Sequence, residues 1–336
     1  DYEPCTYTLN RQGKRSAWTN KGGDVEVADV IAGDSLGFAQ GCDLFPRTAL
    51  FHQFVRRPNG NWDIRPIERT GELWYLISES KKNLCNNLAA EDFEDEFMYD
   101  AFISKHLSPF IMAAPAKGLI PGRKEQGVWK PLFQADLALV NASTEYVFQQ
   151  IADAVGQDLV PFLSETINIY GKLYKQNFSQ DYLVLSSASG SNPCAAYIDL
   201  RQFDRNRLVI DQTLYWYLSK TEDEAIYISG LLNSAALWEA ISDFQPEGGF
   251  GKRHIHTLPY KIIPAFDPDD DAQREVIEAT KALMEEWKVV CESGQYKNLL
   301  GPNSGTLPSR RRRQQSKIRE LASYGRYAAA CAGVFG

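Results

Sequence analysis

The fold is decided by four short apolar runs in the middle of the chain: Tyr182-Leu-Val-Leu-Ser186, Ala195-Ala-Tyr-Ile-Asp-Leu200, Leu208-Val-Ile-Asp211 and Thr213-Leu-Tyr-Trp-Tyr-Leu218. Turn-forming residues separate them at 190–193 and at 204–206. Short runs of β-branched and aromatic residues with such boundaries are typical of β-strands. The sequence therefore predicts successive strands of an antiparallel sheet.

Two helices are predicted on the carboxyl-terminal side of these strands. Thr221 is placed to cap a helix that runs to Ile241, and the three acids at 222–224 fall in its first turn, where the helix dipole favours negative charge. A second helix is predicted over residues 270–291. We interpret the acidic cluster 267–271 as capping of this second helix, with a metal site as the alternative.

On the amino-terminal side of the strands, residues 136–180 are predicted to be helical. Ser143 is a candidate N-cap, and an apolar stripe at three- and four-residue spacing follows it: Val147, Phe148, Ile151, Ala152 and Val155. In the region before, 48–55 and 73–77 are predicted strands. The acid-rich stretch 91–100 is expected to be the solvated face of a helix.

These elements predict a mixed α/β (α+β) fold. A strand-rich N-terminal part over residues 1–135 is followed by a domain of antiparallel strands with packed helices over residues 136–300. Residues 301–336 are expected to form a Gly/Pro/Ser linker and a basic C-terminal helix. A chain of 336 residues is long enough for two domains.

The composition excludes several classes of protein. With 36 Lys and Arg against 43 Asp and Glu, the net charge is −7, so any polyanion would have to bind a local basic patch. No apolar run reaches the roughly 18 residues of a membrane span and no signal peptide is visible, so we expect a cytoplasmic protein. The six cysteines form no C-x-x-C pair, which predicts reduced, mostly buried thiols.

The densest polar stretch is Gly248-Gly-Phe-Gly-Lys-Arg-His-Ile-His-Thr-Leu-Pro-Tyr-Lys261. In an extended conformation, Lys252, His254 and His256 point to one side of the strand and Arg253 points to the other. A cation and two imidazoles on one face suit contacts with the phosphates or base edges of DNA. Two alternatives stay open: a turn whose histidines form local hydrogen bonds, and a metal site that needs a third ligand.

Segments on both sides of this loop carry a family resemblance. These segments are Ala225-Ile-Tyr-Ile-Ser-Gly-Leu-Leu-Asn-Ser234, Phe244-Gln-Pro246, Gly249-Phe-Gly-Lys-Arg-His-Ile-His256, Leu258-Pro259 and Ile263-Pro-Ala-Phe-Asp-Pro268. The block from Leu231 to Pro268 is the specific part. Four further segments lie upstream of this block, and their order along the chain adds to the resemblance: Phe38-Ala-Gln-Gly-Cys-Asp-Leu-Phe-Pro-Arg47, Leu107-Ser-Pro-Phe110, Leu119-Ile-Pro121 and Val209-Ile-Asp-Gln-Thr-Leu-Tyr-Trp-Tyr217. Over residues 36–290 the chain resembles the C-terminal, target-recognition region of large N6-adenine DNA methylases of restriction-modification systems.

The resemblance implies that residues 136–300 recognise duplex DNA, while a separate N-terminal Rossmann-like domain binds S-adenosylmethionine and methylates adenine. That catalytic domain is expected outside this chain. No two prolines are adjacent here, so the Pro-Pro-aromatic loop that adenine methylases place against the flipped base is absent, as are the G-x-G-x-x-G and Walker motifs. We expect no catalytic residue, metal or cofactor in this chain, and as partners double-stranded DNA and a methylase domain or subunit, with no membrane.

A basic face is expected to contact the DNA. It combines the loop with one later lysine and the bases of the C-terminal helix: Lys252, Arg253, His254, His256, Lys261, Arg310, Arg311, Arg312 and Arg313. Arg47 is a further candidate phosphate contact, with an ion pair to an acid as the alternative. Two rival functions stay open: a metal-dependent nuclease that uses His254 and His256, and a protein-binding scaffold of a defence system.

Overall fold

The structure is a computed structural model and describes residues 8–12, 15–19, 36–68, 73, 85–125, 127–188, 194–241, 247–248, 251–252, 259–293 and 306–335. A strand-rich N-terminal part leads into antiparallel sheets, and helices dominate the C-terminal part. The predicted mixed α/β (α+β) class is confirmed.

Three of the four predicted runs lie in one antiparallel sheet. Its four strands are adjacent in the order Ala195–Asp199, Tyr182–Ser187, Leu214–Ser219 and Ala39–Gln40. The remaining run forms strand Leu208–Ile210, which instead pairs in parallel with Met98–Phe102 in a second sheet completed by Ala116–Leu119. The prediction of one sheet is wrong for this run, because two 3₁₀ turns between residues 200 and 207 redirect the chain.

The four-stranded sheet is covered on both faces. Successive residues of a strand point to opposite faces, and Leu183 and Leu185 belong to one buried cluster whereas Val184 belongs to another. The second cluster is formed largely by the helices that follow the sheet. A strand buried on both faces needs apolar residues at every position, which explains the continuous apolar run at 182–185.

The helices after the sheet agree with the sequence apart from one break. Thr221 caps helix Glu222–Asn233, its hydroxyl accepting a hydrogen bond from Glu224 N at 3.2 Å. The predicted continuation is a separate helix, Ala235–Ile241, because Ser234 Oγ accepts from Leu237 N at 3.2 Å and so starts a new helix. Asp270 caps helix Asp271–Glu292, which confirms the capping interpretation of the acidic cluster.

Two helices, Leu307–Ile318 and Tyr324–Phe335, end the chain. The side chains of Ile318, Tyr327 and Cys331 are buried in one cluster with Trp287 of helix Asp271–Glu292. The Tyr327 hydroxyl also donates to the Gly230 carbonyl at 2.7 Å. The basic helix is therefore packed into the core.

The N-terminal part departs most from the sequence predictions. Residues 48–55, predicted as a strand, form helix Arg47–Leu50 and then strand Gln53–Arg56, which pairs with Trp62–Arg65 and through it with Ala90–Phe93. The acid-rich stretch is not a helix face: it lies in strands Ala90–Phe93 and Met98–Phe102 and the turn between them. Bases neutralise its acids, as in the pairs Arg56–Asp95, Lys117–Asp100 and Arg123–Glu96. Of the predicted strand 73–77, only residue 73 is described.

Helix Ala142–Val155 confirms the predicted apolar stripe, since Val147, Phe148 and Ile151 are fully buried. Its N-cap is Asn141 rather than Ser143, because Asn141 Oδ1 accepts from Thr144 N at 2.8 Å. The stripe packs in one cluster with residues from before position 135. The division of the chain at 135 and 136 stays a prediction.

Shorter elements connect these parts. Hairpins are Thr8–Gln12 with Arg15–Thr19, Leu107–Ser108 with Ile111–Met112, Gly122–Glu125 with Val128–Pro131, and Glu247–Gly248 with Gly251–Lys252. Short helical segments are Leu159–Pro161, Pro259–Ile262, the π-helix Phe162–Ile167 and the 3₁₀ turns Asp95–Phe97, Ser104–His106, Gln134–Leu139, Ile169–Gly171, Leu200–Gln202 and Arg205–Arg207. Cys42, Cys85, Cys194, Cys291 and Cys331 are free thiols. Within the described ranges, every helix is too short or too polar to cross a membrane.

Candidate nucleic-acid interface

The polar loop predicted to contact DNA lies mostly outside the described residues. Arg253, His254 and His256 are among the residues that the structure does not describe, and Lys252 is described only as backbone of the hairpin Glu247–Gly248 with Gly251–Lys252. The structure does give the geometry at the base of the loop, beginning with Pro259.

Aromatic stacking holds the end of the loop. The Tyr260 ring stacks on Phe38, with 4.0 Å between centroids and 12° between planes, and its centroid lies 5.5 Å from that of Tyr215. The Tyr260 carbonyl accepts from Leu36 N at 3.1 Å. Burial raises the pKa of the Tyr260 hydroxyl, so it stays protonated. The following residue, Lys261, is half-buried and has no ion pair with a described acid, so it leaves a positive charge at the base of the loop.

Arg311, a predicted DNA contact, is buried. Its guanidinium group donates to the Ser104 carbonyl at 2.8 Å and to the Leu107 carbonyl at 3.3 Å, and 2 % of the residue is exposed. Arg310 is similarly buried and donates to the Lys105 carbonyl. The carbonyls at the end of a helical turn carry partial negative charge, so they are favourable partners for cations. Both arginines fasten the last helices to the turn Ser104–His106.

Arg47 is buried as well. Its Nη2 donates to Asp211 Oδ1 at 2.8 Å, which is the ion pair left open by the sequence as the alternative to a phosphate contact. The same carboxylate accepts from Thr213 N at 3.0 Å. Thr213 Oγ1 in turn accepts from Ser104 N at 3.1 Å. Arg47, Asp211, Thr213, Ser104 and Arg311 thus form one chain of contacts, which we call the buried arginine network.

His106 lies beside this network, and no sequence pattern indicated that its side chain would be buried there. Burial, together with the charges of Arg310, Arg47 and Lys105, lowers its pKa to about 4. Its Nδ1 is buried without a hydrogen-bond partner among the described residues. The imidazole is therefore neutral at physiological pH, because burial and the neighbouring cations both disfavour its charged form.

The segments that carry the family resemblance meet at this network. Cys42 N donates to the Ile210 carbonyl at 2.8 Å, and Gln212 N donates to the Cys42 carbonyl at 2.7 Å. Gly41 must be glycine, because a Cβ atom there would lie 2.3 Å from the Asp211 carbonyl oxygen. Residues 38–47 and 209–217 are thus locked together by backbone contacts.

The exposed bases of the C-terminal helix are the other two members of the arginine run. Arg312 and Arg313 are exposed, whereas Arg310 and Arg311 on the opposite side of the helix are buried. Several bases in other parts of the described chain pair with acids, as in Arg57–Asp63, Arg201–Asp199, Arg205–Asp181, Lys281–Asp223 and Arg326–Glu275.

In the part of the chain that the structure describes, His, Cys, Asp and Glu side chains form no group of three or more that could hold a metal ion. His254 and His256, the candidate ligands of the rival nuclease, lie outside that part.

No family model matches this sequence, and no curated protein matches it. Among solved structures, the chain is similar to MmeI, a type IIL restriction-modification enzyme in complex with DNA, with 14 % identity and a TM-score of 0.44 over 90 % of this chain. It is also similar to BpuSI, a type IIG restriction endonuclease, with 15 % identity and a TM-score of 0.31 over 84 % of this chain. The chain spans about a third of each of these proteins, 35 % of the first and 31 % of the second.

Proposed function

We propose that this chain recognises a specific sequence in duplex DNA for an N6-adenine DNA methyltransferase of a restriction-modification system. A methylase domain or subunit would bind S-adenosylmethionine and transfer the methyl group. Such an enzyme must extrude its adenine from the duplex at a cost of a few kcal/mol, and a recognition domain offsets that cost by gripping the DNA around it.

The observation that carries the proposal is the buried arginine network. It joins residues from segments that resemble the methylase family and are far apart in the chain, 164 residues in the case of Arg47 and Asp211. Segments that resemble one domain only by their order are therefore in direct contact, as parts of one domain would be. Stacking of Tyr260 on Phe38 ties the base of the polar loop to the same segments.

The proposed DNA surface keeps the predicted contacts except those that the structure shows to be buried. Lys252, Lys261, Arg312 and Arg313 would meet phosphates, while Arg253, His254 and His256 would read base edges, arginine being well suited to guanine. We leave Arg47, Arg310 and Arg311 out of this surface, because their guanidinium groups are buried against the protein's own oxygens.

Salt dependence of DNA binding tests the phosphate contacts. Fluorescence anisotropy with a labelled duplex should show steep weakening as salt rises, and Lys252→Ala should reduce the log–log slope by about 0.9, which corresponds to the loss of one phosphate contact. Lys117→Ala is the matched control, because Lys117 is already paired with Asp100. Equal slopes for the folded Lys252→Ala variant and the control would exclude Lys252 from the phosphate contacts.

Base reading is tested in the complete methylase with a library of randomised target sites at fixed salt. Arg253→Ala or His256→Ala should relax the preference at one base pair, since a good bidentate contact contributes roughly 1–3 kcal/mol of discrimination. Lys252→Ala should weaken methylation of all sites alike. If both reader variants keep the parental preference and lose only activity, the loop is not the reader.

A further inference from the structure

The turn from Asn168 to Lys175 projects an aromatic side chain into solvent. Tyr170 is 81 % exposed, and its backbone has a positive φ of 59°. Glycine follows at position 171, also with positive φ. We call this segment, residues 168–175, the tyrosine turn.

The tyrosine turn is rigidly attached to the rest of the fold. Asn168 Oδ1 accepts hydrogen bonds from Leu173 N at 3.1 Å and from Tyr174 N at 3.0 Å, and the Leu173 side chain is fully buried. The π-helix Phe162–Ile167 leads into the turn, and the Ile167 carbonyl accepts from Asp43 N at 3.1 Å. The tyrosine turn is therefore attached to residues 38–47, the segment that contributes Arg47 to the buried arginine network.

The fold does not require tyrosine at this position. A residue with positive φ is most easily glycine or asparagine, because a Cβ atom makes the left-handed conformation unfavourable. The side chain recovers little of that cost by burial, since most of it faces solvent. Residues in unfavourable backbone conformations cluster at binding sites and active sites, so the exposed ring at this position needs a functional explanation.

Positive charge flanks the ring. Lys172 Nζ lies 5.8 Å from the ring centroid and donates to Gln40 Oε1 at 2.8 Å, while Lys175 Nζ donates to the Tyr170 carbonyl at 3.3 Å. Both partners are uncharged oxygens, and neither lysine pairs with an acid that the structure describes. The nearest acids in the sequence are Glu165 and Asp181. Two cations beside an exposed ring match the stacking and phosphate contacts of nucleic acids.

We infer that the tyrosine turn is a second DNA contact, in which Tyr170 stacks on an unpaired base and Lys172 and Lys175 bind the adjacent phosphates. This inference rests on the proposed function, because DNA opened around an extruded adenine supplies such bases. Stacking of a base on an aromatic side chain contributes roughly 1–3 kcal/mol, which corresponds to a change in affinity of about 5-fold to 150-fold.

The experiment compares two labelled probes of equal length: a fully paired duplex and the same duplex with a central bubble of unpaired bases. Tyr170→Gly should weaken binding of the bubble about tenfold and binding of the duplex much less. Tyr170→Phe should bind both probes like the wild type, because stacking does not need the hydroxyl. Lys172→Ala and Lys175→Ala should each reduce the salt slope on the bubble probe by about 0.7, the value for a phosphate contact on single-stranded DNA.

Tyr146→Ala is the matched control, since Tyr146 is 49 % exposed on helix Ala142–Val155. The thermal midpoint of each variant separates weaker DNA binding from a damaged fold, and Tyr170→Gly should not lower it. A wild-type chain that binds neither probe would overturn the proposed function and this inference with it. A wild-type chain that binds, with Tyr170→Gly unchanged on the bubble or weakened equally on both probes, would overturn the stacking role alone.

Discussion

Two positively charged regions of this molecule differ in solvent exposure: half of the arginine run at 310–313 is buried, whereas the tyrosine turn lies at the surface. The arginine run at 310–313 is conspicuous in the sequence, yet Arg310 and Arg311 are buried against backbone carbonyls. The tyrosine turn has only two lysines, and its Tyr170 ring is 81 % exposed. A high density of charge along the sequence therefore does not show where that charge is exposed in the folded protein.

The physical reason is that a buried cation needs partners that a turn at the surface does not. A guanidinium group has five donors and loses solvation on burial, so it must meet carbonyl or carboxylate oxygens in fixed positions. The turn Ser104–His106 and Asp211 supply those oxygens here. A lysine at the surface keeps its hydration and remains able to bind a phosphate.

The largest expected effect comes from breaking the buried ion pair. Asp211→Ala removes the carboxylate that holds Arg47 and Thr213, and uncompensated burial of a cation typically costs about 3–5 kcal/mol. We expect the free energy of unfolding in urea to fall by about that amount. Asp211→Asn, which keeps an acceptor for Thr213 N, should lose less. A loss below about 1 kcal/mol for Asp211→Ala would show that the network contributes little to stability.

Acid should weaken the region around the network. Burial and neighbouring cations lower the pKa of His106 to about 4, and burial lowers that of His52 to about 4. Because the folded state disfavours the charged imidazoles, their contribution is complete above the unfolded pKa near 6.5 and is lost as pH falls from there toward 4. Each histidine should account for about 3 kcal/mol over that interval.

The measurement is the free energy of unfolding as a function of pH for the wild type and for His106→Gln, which has no charge at any of these values. The variant should show a shallower dependence between pH 6.5 and 4 because one of the two titrating imidazoles is gone. The same pH dependence in both proteins would mean that His106 is as easily protonated in the folded chain as in the unfolded one.

A smaller effect separates the two halves of the arginine run. Arg311→Met keeps much of the side-chain volume but removes the guanidinium hydrogen bonds to the Ser104 and Leu107 carbonyls, so we expect a loss of about 2 kcal/mol of stability. Arg312→Met, one residue further on the exposed side, should change stability by less than about 0.5 kcal/mol. DNA binding by the folded proteins should respond in the opposite order. Equal stability losses would contradict the assignment of Arg311 to the interior.

The sequence was informative wherever local physics decides the structure. Thr221 was identified as a helix cap, and the acidic cluster 267–271 as the cap of the next helix, because capping side chains act within one turn. Three of the runs between 182 and 218 share a sheet because their apolar pattern matches a strand buried on both faces. Leu208–Ile210 was misassigned because its pattern does not reveal which strand it pairs with, and its partner lies about 100 residues upstream.

The candidate site was harder to predict for the same reason. Arg47 and Arg311 appear as free cations in the sequence, and only contacts with Asp211 and Ser104, which are distant in the chain, show that they are internal. The tyrosine turn escaped notice because positive φ at Tyr170 has no sequence signal when the residue is neither glycine nor asparagine. Asn168, whose amide oxygen holds the turn, is the one local cue.

The smallest expected effect tests whether the exposed ring is there for the fold. Tyr170→Gly removes a side chain from a left-handed backbone position, which stabilises the folded state by roughly 1–2 kcal/mol. The greater conformational freedom of glycine in the unfolded chain offsets up to about 1 kcal/mol of this stabilisation. We therefore expect a net stabilisation of about 0.5–1 kcal/mol by urea unfolding. Tyr174→Gly is the comparison, because Tyr174 has no positive φ and follows the buried Leu173, so glycine there should destabilise. A loss of stability in both variants would mean that Tyr170 serves the fold; a gain for Tyr170→Gly alone, with weaker binding to unpaired DNA, is the pattern of a residue retained for function at the expense of stability.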